Sequence, residues 1–567
     1  MLKGTAASEG IGIGKILLIE EVSLEYTPHS ISDPEQEVAR FKDAIAEFVR
    51  QTEEQAEALK ASAGEKEAEI MLGHISMIND PYMQGETEKL IQSGQCAEQA
   101  FEATCDVFIN MFSNVEDEMM RQRATDIRDI KSGLLAVLLG VKEVKVSDAP
   151  KGTVLLAREL TPSVTAGINK ENIVGIITET GGKTSHSAIL ARALEIPAVL
   201  SVENATQLLK NDQAIIVDGS KGVVIPDPTS DEIIEYTGKR EKFLQERREL
   251  EQFRGKATVD ADGTAYELVC NIGKPQDATK VVEGDGEGVG LFRTEFLFMD
   301  RNAMPTEEEQ FEAYKKAALI LKGKTLIIRT LDIGGDKDIP YMGLEKEENP
   351  FMGFRAIRYC LKNREMFKTQ LRAILRASAF GDIKIMFPLI TCLEELREGK
   401  ALVEEVKKEL RLSSACEFNE NIDVGVMIET ASAAVIADLL APEADFFSIG
   451  TNDLTGYTMS CDRGNSEVAY LYSVLQPGVL RLIEKTIKCG RENNIPVGMC
   501  GEAAANPQLI PLLISFGLTE FSVSAPSVLK VRKCISNWSK EEADKVANHV
   551  MSLKTEKEIA EYLEGLV

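Results

Sequence analysis

Hydrophobic and polar positions follow three different patterns along this chain of 567 residues. Residues 10–20 (GIGIGKILLIE) combine glycines with a short apolar run, which is typical of a turn and one buried strand. Over residues 33–142, apolar residues recur at helical spacing in a charged, alanine-rich segment, which predicts several packed helices with a predominantly acidic surface. From Pro150, short β-branched runs predict a compact α/β unit, and we expect a strand at residues 16–19 to join its sheet.

The remainder of the chain has a more regular pattern. Residues 227–253 are polar and predict one long helix that connects two domains. Eight apolar runs follow, usually separated by helix-like stretches, and Thr306 and Glu309 have the spacing of a capping box before one of these helices. The runs are YELVCN, GVGLFRT, TLIIRT, IKIMFP, DVGVMIE, DFFSIG, PVGMC and EFSVS. Eight strands alternating with helices over roughly 300 residues predict a closed TIM barrel, with an open doubly wound sheet as the alternative.

Composition and charge narrow the class of protein. Hydrophobic residues make up 44% of the chain and charged residues 27%, as in a soluble globular protein. The formal net charge of −27 argues against nucleic acid or an anionic membrane as a partner and favours a basic protein. The ten cysteines form no C-x-x-C pair, so a reducing cytoplasm is the simplest location. We expect neither a secretory signal nor a membrane span, because no apolar run is long enough.

Polar and charged residues follow the predicted barrel strands, at or just after the point where each strand ends. They are Arg293, Arg329, Arg355, Glu429, Asn452, Asp453, Arg463 and Cys500. The carboxyl ends of barrel strands meet at one mouth, where barrel enzymes assemble their active sites. Taken singly, each residue has a structural explanation, such as a surface ion pair, a helix cap or an inert core position. Their occurrence at the ends of successive strands favours a site.

The residue types indicate what such a site would bind. Several arginines suit a small polyanion, because guanidinium groups bind phosphate and carboxylate oxygens in pairs. Glu429 and Asp453 offer hard oxygen ligands of the kind that magnesium prefers. Cys500, between Met499 and Gly501, is a candidate proton donor in a dry cleft.

One of only four histidines, His186, lies in the segment TETGGKTSHSAILARAL. Two glycines permit a tight turn after a predicted strand, and Thr184 or Ser185 can cap the helix that follows. In the first turn of a helix, the dipole disfavours imidazolium, and the free amides can receive phosphate oxygens. The pattern fits a histidine that is phosphorylated and then passes the group on, while a surface or capping histidine is the structural alternative.

Long motifs across the chain resemble those of the enzyme I family of the bacterial phosphotransferase system, the phosphoenolpyruvate–protein phosphotransferases. They are GGKTSHSAILARALEIPAV, LFRTEFLFMDRNAMPTEEEQF, IIRTLDIGGDK, NPFMGFRAIR, GVMIET, SIGTNDLTGYT, DRGN and VGMCGE. The resemblance covers essentially the whole chain in the family's domain order. Pyruvate phosphate dikinase and phosphoenolpyruvate synthase share two of the domains, but they also carry a large nucleotide-binding domain, for which the first 150 residues are too short.

The resemblance implies a domain order and a moving part. A phosphohistidine α/β domain would comprise residues 1–20 and 146–226, with a helical insert at 21–145 that binds the carrier protein HPr. A linker helix at 227–258 would precede a barrel at 259–567, which binds phosphoenolpyruvate and forms a homodimer. Since one histidine must serve both a donor and a carrier, we expect the α/β domain to swivel about hinges near Val146 and residues 227–231.

The resemblance also implies residue roles in a magnesium-dependent reaction. His186 would accept the phosphoryl group of phosphoenolpyruvate and pass it to a histidine of HPr, while Cys500 would protonate the enolate to give pyruvate. The substrate phosphate would be held by Arg293, Arg329, Asn452 and Lys337. The carboxylate end would be held by Arg355 and Arg463. Magnesium would be bound by Glu429 and Asp453. Thr165, in ELTPSVTAG, matches a threonine that hydrogen-bonds the active histidine.

Some positions depart from the family pattern without removing a residue that has a direct role. Ala431 replaces a proline, Gly456 replaces a glutamine, and residues 501–506 (GEAAAN) differ from GE-x-AGD. The segments LYSVLQPGVL and AVLSVENAT also differ, and the role of Lys183 stays open between a phosphate contact and a solvated neighbour. Two other functions are considered: a regulatory paralogue that signals through its phosphorylation state, and a free-standing barrel enzyme acting on phosphoenolpyruvate or pyruvate.

Overall fold

The computed structural model describes residues 1–19, 24, 26–63, 65–113, 118–141, 146, 149–160, 168–182, 185–299, 301–334, 339–413 and 417–566. Thr165, Lys183 and Lys337 lie outside these ranges, and the side chain of His186 is likewise outside the description. The chain forms two compact units, Met1–Arg247 and Arg248–Val567.

A mixed sheet of eight strands organises the first unit. Its strands are β1 (Leu2–Lys3), β2 (Thr5–Ser8), β3 (Ile11–Ile19), β4 (Thr153–Ala157), β5 (Ile173–Thr178), β6 (Ala198–Leu200), β7 (Ala214–Asp218) and β8 (Val223–Pro226). They lie in the order β1-β8-β7-β3-β4-β5-β6-β2, with β3 to β6 parallel. The early strand therefore joins the sheet as predicted, between β7 and β4. All five residues of β4 are buried, as expected for a central strand covered on both faces.

Helices occupy the chain between β3 and β4, as the helical spacing predicts. They are Pro34–Ala63, Glu65–Ile78, Pro81–Gln92, Ala97–Ser113 and Glu118–Leu139. Their apolar faces form a core of their own that includes Phe41, Phe101 and Ile130. The Asp80 carboxylate caps the third helix by accepting from the backbone amides of Tyr82 and Met83. These helices are inserted between β3 and β4, so the strands of one sheet come from two separate parts of the sequence.

Three further helices are His186–Ala193, Ala205–Leu208 and Ser230–Glu251. The last confirms the long polar helix predicted over residues 227–253. Tyr236 is the buried residue within it, which agrees with the lack of an apolar stripe in its sequence.

The second unit is a closed barrel of parallel strands, which confirms the predicted TIM barrel and excludes the open sheet. The strands are β9 (Glu267–Ile272), β10 (Val289–Phe292), β11 (Leu326–Arg329), β12 (Ile383–Phe387), β13 (Val424–Ile428), β14 (Phe447–Ile449), β15 (Val497–Met499) and β16 (Glu520–Val523). Seven of them fall within one of the eight apolar runs, and β9 extends one residue beyond YELVCN. The barrel closes where β16 pairs with β9.

Helices surround the barrel and bury the outward faces of its strands. They are Asp277–Glu283, Glu307–Leu321, Ala356–Lys362, Arg364–Ala377, Leu393–Ser413, Ala431–Val435, Ala437–Leu440, Thr451–Met459, Pro477–Glu492, Ile510–Phe516, Val528–Ser536, Lys540–Ser552 and Glu556–Glu564. The predicted capping box of Thr306 and Glu309 is present at the start of Glu307–Leu321. No helix in the described ranges is both long enough and apolar enough to cross a bilayer.

Inward-facing residues fill the barrel, and one of them, Glu520, carries a carboxyl group. Leu291, Ile327, Met386, Met427, Phe446 and Cys500 form an apolar cluster there. Glu520 is buried against Gly498, where a Cβ atom would come within 2.4 Å of its Oε1. This Oε1 has no hydrogen-bond partner among the described residues. Burial, reinforced by Glu267 and opposed by Lys384, raises the pKa of Glu520 to about 7.

Glu520→Gln is expected to raise the free energy of unfolding at pH 8 while changing it little at pH 5. The pKa of Glu520 is raised from 4.5 to about 7 in the folded protein, so the unfolded chain loses this proton first. Stability therefore falls as pH rises through that window, by on the order of 3 kcal/mol. Urea denaturation at both pH values measures the difference, with Glu484→Gln, at an exposed position of the helix Pro477–Glu492, as the matched control. An equal change at both pH values would contradict this explanation.

Candidate active site

Five charged side chains meet at the carboxyl ends of β11, β13 and β14. Arg329 is the last residue of β11, and Asp332 follows it after two residues. Glu429 comes directly after β13, and Asp453 lies in the first turn of the helix that follows β14. Arg355 immediately precedes the helix Ala356–Lys362. All but Asp453 are buried, so strand ends from across the sequence supply one compact ionic cluster.

Asp332 lies between the two arginines and holds both. Its Oδ2 is 2.9 Å from Arg329 Nη1, and its Oδ1 is 2.6 Å from Arg355 Nη2. Arg329 Nη2 also donates to Glu295 Oε1 at 2.7 Å. Burial lowers the pKa of Arg329, but Glu295 and Asp332 outweigh it, so the guanidinium keeps its charge. The result is a pair of fixed, permanently charged donors at one mouth.

Asp332, Glu429 and Asp453 form a group of carboxylates suited to a metal ion. One oxygen from each lies within 4.8 Å of the others. Glu429 accepts from the backbone amide of Leu389 at 2.7 Å, which fixes its orientation. Burial, then repulsion from Asp453 and Asp332, raises the pKa of Glu429 well above its usual range, against the opposing effect of Arg329 and Arg355. A divalent cation would relieve this repulsion, and an all-oxygen donor set fits a hard ion.

Two glycines allow the loops of this cluster to approach closely. A Cβ atom at Gly450 would lie 2.9 Å from Glu429 Cβ, and one at Gly501 would lie 1.8 Å from Thr451 Oγ1. A side chain at Gly450 would displace Glu429, and one at Gly501 would displace Thr451, the first residue of the helix that carries Asp453. The departures at Ala431 and Gly456 lie in the helices that follow Glu429 and contain Asp453, respectively.

Aromatic residues surround the outer side of Arg355. Its guanidinium lies 5.6 Å from the ring centre of Phe351, and Nη1 is 3.4 Å from the Tyr457 hydroxyl. Arg355 Nη2 is also 3.4 Å from Asp453 Oδ2, which links the arginine pair to the carboxylate group. Tyr457 donates to the Phe351 carbonyl. The loop that carries Arg355 is therefore tied to the helix that carries Asp453.

The other predicted substrate ligands lie at the edge of the cluster. Arg293 directly follows β10 and is exposed, with its backbone amide donating to the Ile272 carbonyl at 3.0 Å. Arg463 is also exposed and lies beside Tyr472, whose hydroxyl donates to the Asn452 carbonyl at 3.0 Å. Lys337 lies outside the described residues. Exposed arginines of this kind can turn towards an incoming anion at little cost.

Cys500 comes directly after β15 and faces the barrel interior, where its side chain is 3% exposed. Its thiol donates to the Ile449 carbonyl at 3.8 Å. Burial raises the pKa of Cys500 to about 11, although Ser448 and Arg329 act in the opposite direction. The sulfur is therefore protonated near neutral pH, so this residue suits proton donation rather than nucleophilic attack.

His186 is the first residue of a helix in the other unit. Ser185 is the N-cap and accepts from the Ala188 amide at 3.3 Å, so the cap is Ser185 rather than Thr184. Gly181 has a φ of 102°, a left-handed backbone that favours glycine, and its carbonyl accepts from Ser201 Oγ at 2.6 Å. The turn and the cap together place His186 at the positive end of the helix dipole.

The sequence reasoning missed Asp332 and Glu295. Both are buried and paired with Arg329, yet neither stands directly at a strand end. A signal for Asp332 was present in IIRTLDIGGDK, where an acid follows a strand-end arginine by three residues. Glu295 likewise follows a strand-end arginine, Arg293, by two residues, but nothing in the spacing links it to Arg329, which lies 34 residues away.

Models of one enzyme family match the chain in three consecutive parts. Residues 3–123 match the N-terminal domain of PEP-utilising enzymes, 149–222 the mobile domain, and 247–540 the PEP-binding domain. The last match contains the strand-end cluster, and the mobile domain contains His186.

Relatives similar over their whole length carry one name, phosphoenolpyruvate-protein phosphotransferase. The protein from Bacillus subtilis (strain 168) is 44% identical over 563 residues, 99% of this chain and 99% of the relative. Those from Listeria innocua and Staphylococcus epidermidis are each 43% identical, over 99% and 100% of this chain and 98% and 99% of their own. The resemblance found in the sequence motifs is thereby confirmed. The chain belongs to the phosphoenolpyruvate-protein phosphotransferase family.

Proposed function

We propose that this protein transfers the phosphoryl group of phosphoenolpyruvate to His186 and then to a histidine of HPr, releasing pyruvate. This is the first step of sugar uptake by the phosphotransferase system, and we expect it to occur in the cytoplasm. The observation that carries the proposal is whole-length similarity to enzymes of that name, which includes both the mobile and the PEP-binding domains.

The arginine pair supports a role in binding phosphoenolpyruvate. The substrate carries a phosphate and a carboxylate, and two fixed guanidinium groups can receive one each. In this assignment Arg329 binds the phosphate with Arg293, assisted by Asn452 and Lys337. Arg355 then binds the carboxylate with Arg463. Asp332 sets the spacing of the two buried arginines before substrate arrives, which lowers the cost of ordering them.

Glu429 and Asp453 would hold Mg²⁺, with the substrate supplying further oxygen ligands. The ion would neutralise charge on the phosphate and enolate oxygens during the transfer. Asp332 belongs to the same group but already pairs with both arginines, so we assign it a supporting role.

Two groups of the chain would carry the chemistry. His186, at a helix N-terminus that disfavours imidazolium, attacks phosphorus with a neutral ring nitrogen. The P–O bond to the enolate breaks, and Cys500 donates its proton to carbon 3, which gives pyruvate. Thr165, which lies outside the described residues, would hydrogen-bond the ring of His186.

The helical insert supports docking of a basic carrier protein such as HPr. Large apolar side chains are exposed on three of its helices: Leu72, Tyr82, Val107 and Met111. Asp106, beside Val107, is among the acidic residues of this surface and pairs with Lys131 at 2.9 Å. Exposed apolar contacts beside acidic groups favour a basic partner, since the charges steer its approach.

The barrel supports a homodimer through the face that carries Arg355. Exposed apolar residues lie in its loops: Phe351, Met352, Phe354 and Tyr470. Single exposed apolar residues are common, but three within four positions resemble the core of an interface. Because Phe351 contacts both Arg355 and Tyr457, association would also stabilise the substrate-binding loop.

The alternative functions are less well supported. A regulatory paralogue is not favoured, because the relatives similar over the whole chain are named as the phosphotransferase. A free-standing barrel enzyme would have no use for the mobile domain that residues 149–222 match.

Phosphoenolpyruvate labelled in its phosphate tests the proposed function directly. With Mg²⁺, the protein should acquire label that is lost in acid and stable in base, as a phosphohistidine is. Adding HPr should move the label to the carrier, and a chelator should prevent labelling. Absence of label with Mg²⁺ present would refute the proposal, and label that no HPr accepts would favour the regulatory paralogue.

A further inference from the structure

A buried serine beside Cys500 has no role in the functions assigned above. Ser448 lies on β14, with Met427 of β13 and Gly498 of β15 as its lateral neighbours in the barrel. Its side chain is fully buried, and its Oγ has no hydrogen-bond partner among the described residues. A buried hydroxyl without a partner is costly, so a state in which it gains an acceptor would recover that free energy.

Cys500 is held in place from two directions. Its thiol donates to the Ile449 carbonyl, next to Ser448 in the chain. Its own carbonyl accepts from Asn271 Nδ2 at 3.0 Å, and Asn271 Oδ1 in turn accepts from Ser522 Oγ at 2.7 Å. The backbone at Cys500 is thus fixed by polar groups inside the barrel, and a rotation of its side chain would break the bond from the thiol to the Ile449 carbonyl.

We propose that Ser448 is a positioning residue whose hydroxyl donates a hydrogen bond to the Cys500 sulfur when that sulfur is a thiolate. The inference rests on the proposed function, in which Cys500 protonates the enolate of pyruvate. In that step the S–H bond breaks, and the proton joins carbon 3 through the electron pair of the enolate double bond. The carbonyl of pyruvate re-forms, and the sulfur keeps the S–H electron pair as a thiolate. Water returns the proton after pyruvate leaves.

The hydrogen-bond pattern explains why Ser448 lacks a partner before the step. While the sulfur is protonated, it donates to the Ile449 carbonyl and has little to offer another donor. Once the proton has left, the sulfur becomes a charged acceptor, and the Ser448 hydroxyl can donate to it. Burial raises the pKa of the Cys500 thiol, and hydrogen bonding from Ser448, which favours the charged sulfur, is the first effect that opposes it. The serine thereby makes the thiol a better proton donor.

Alkylation of Cys500 by iodoacetamide tests this role without phosphoenolpyruvate. The reagent attacks the thiolate, so below the pKa its rate follows the thiolate fraction. Ser448→Ala should slow alkylation about tenfold at every pH from 7 to 9, the effect of losing one hydrogen bond to a charged group. Mass spectrometry of the peptide that carries Cys500 separates it from the other cysteines. Turnover should fall by a similar factor, with a larger solvent deuterium isotope effect.

A pair of variants of equal size controls for packing. Ser448→Thr keeps the hydroxyl and Ser448→Val replaces it with a methyl group, so the pair isolates the hydrogen bond even if Ser448→Ala is unstable. Cys500 should be alkylated about tenfold faster in Ser448→Thr than in Ser448→Val. Thr486→Val removes a buried hydroxyl that bonds only within its own helix, and it should leave the alkylation of Cys500 unchanged.

Equal alkylation rates in the threonine and valine variants would overturn the inference, as would an equal slowing in Thr486→Val. Failure of the proposed function is a separate result, because it appears as absence of phosphohistidine in the unmodified protein. The alkylation rates are measured without substrate and therefore judge Ser448 independently.

Discussion

His186→Ala is expected to abolish phosphorylation of the protein by phosphoenolpyruvate. The covalent intermediate needs a nucleophile whose phosphorylated form can pass the group on, and alanine offers none. The helix should still form, because its cap is the Ser185 side chain and alanine favours a helix more than histidine does. Incubation with labelled phosphoenolpyruvate and Mg²⁺ should leave the variant at background.

His549→Ala is the matched control for this experiment. His549 is exposed near the end of the helix Lys540–Ser552, where its ring contacts Tyr562. That variant should label to the same extent as the unmodified protein. His186→Ala should nevertheless bind phosphoenolpyruvate with unchanged affinity in calorimetry, because the assigned ligands belong to the barrel. Label retained by His186→Ala would show that another residue accepts the phosphoryl group.

The barrel was predictable because its strands are buried on both faces. In TLIIRT, three consecutive apolar residues make up most of β11, and all four residues of that strand are buried. The alternation of eight such runs with helices is a property of the sequence alone, and so is the ending of several strands at charged residues. Pattern reasoning therefore located both the architecture and most residues of the cluster.

The contacts that organise the cluster were not predictable, because they join distant segments. Asp332 follows a strand-end arginine, but its second partner, Arg355, lies 23 residues further on. The segment LDIGGDK has the composition of an ordinary loop. Only the fold brings its first aspartate, Asp332, between two guanidinium groups.

A buried polar network next to β11 could likewise not be predicted from the sequence. Gln370 accepts from the Leu331 amide at 3.0 Å and donates to Thr294 Oγ1 at 3.2 Å. Thr294 in turn donates to the Arg329 carbonyl at 3.0 Å. A glutamine in a helix indicates a surface position by composition, whereas here it is fully buried and fixes the backbone on both sides of Thr330. Such networks depend on side-chain partners that no local spacing encodes.

Arg329→Met is expected to slow phosphorylation of His186 about a thousandfold, because the transition-state charge on the phosphate loses a fixed donor. The same change leaves Glu295 and Asp332 buried without their shared counter-charge. Breaking a buried ion pair from one side costs about 3–5 kcal/mol of stability. Arg329→Lys should have a rate and a stability between those of the unmodified protein and Arg329→Met. An ammonium group keeps the charge but cannot bind both carboxylates in the same geometry. Rapid-quench labelling measures the rate, and urea denaturation measures the stability.

Two further variants separate the role of Arg329 in substrate binding from its role in stability. Arg376→Met removes an arginine that pairs with Glu307 and Glu308 nearer the surface, and it should cost less than about 1 kcal/mol with no loss of rate. Adding Glu295→Gln to Arg329→Met removes one uncompensated carboxylate, so part of the stability should return while the rate stays low. Recovery of the rate together with stability would show that Arg329 only maintains the fold. A rate that stays low in a stabilised protein is the result expected of a phosphate ligand.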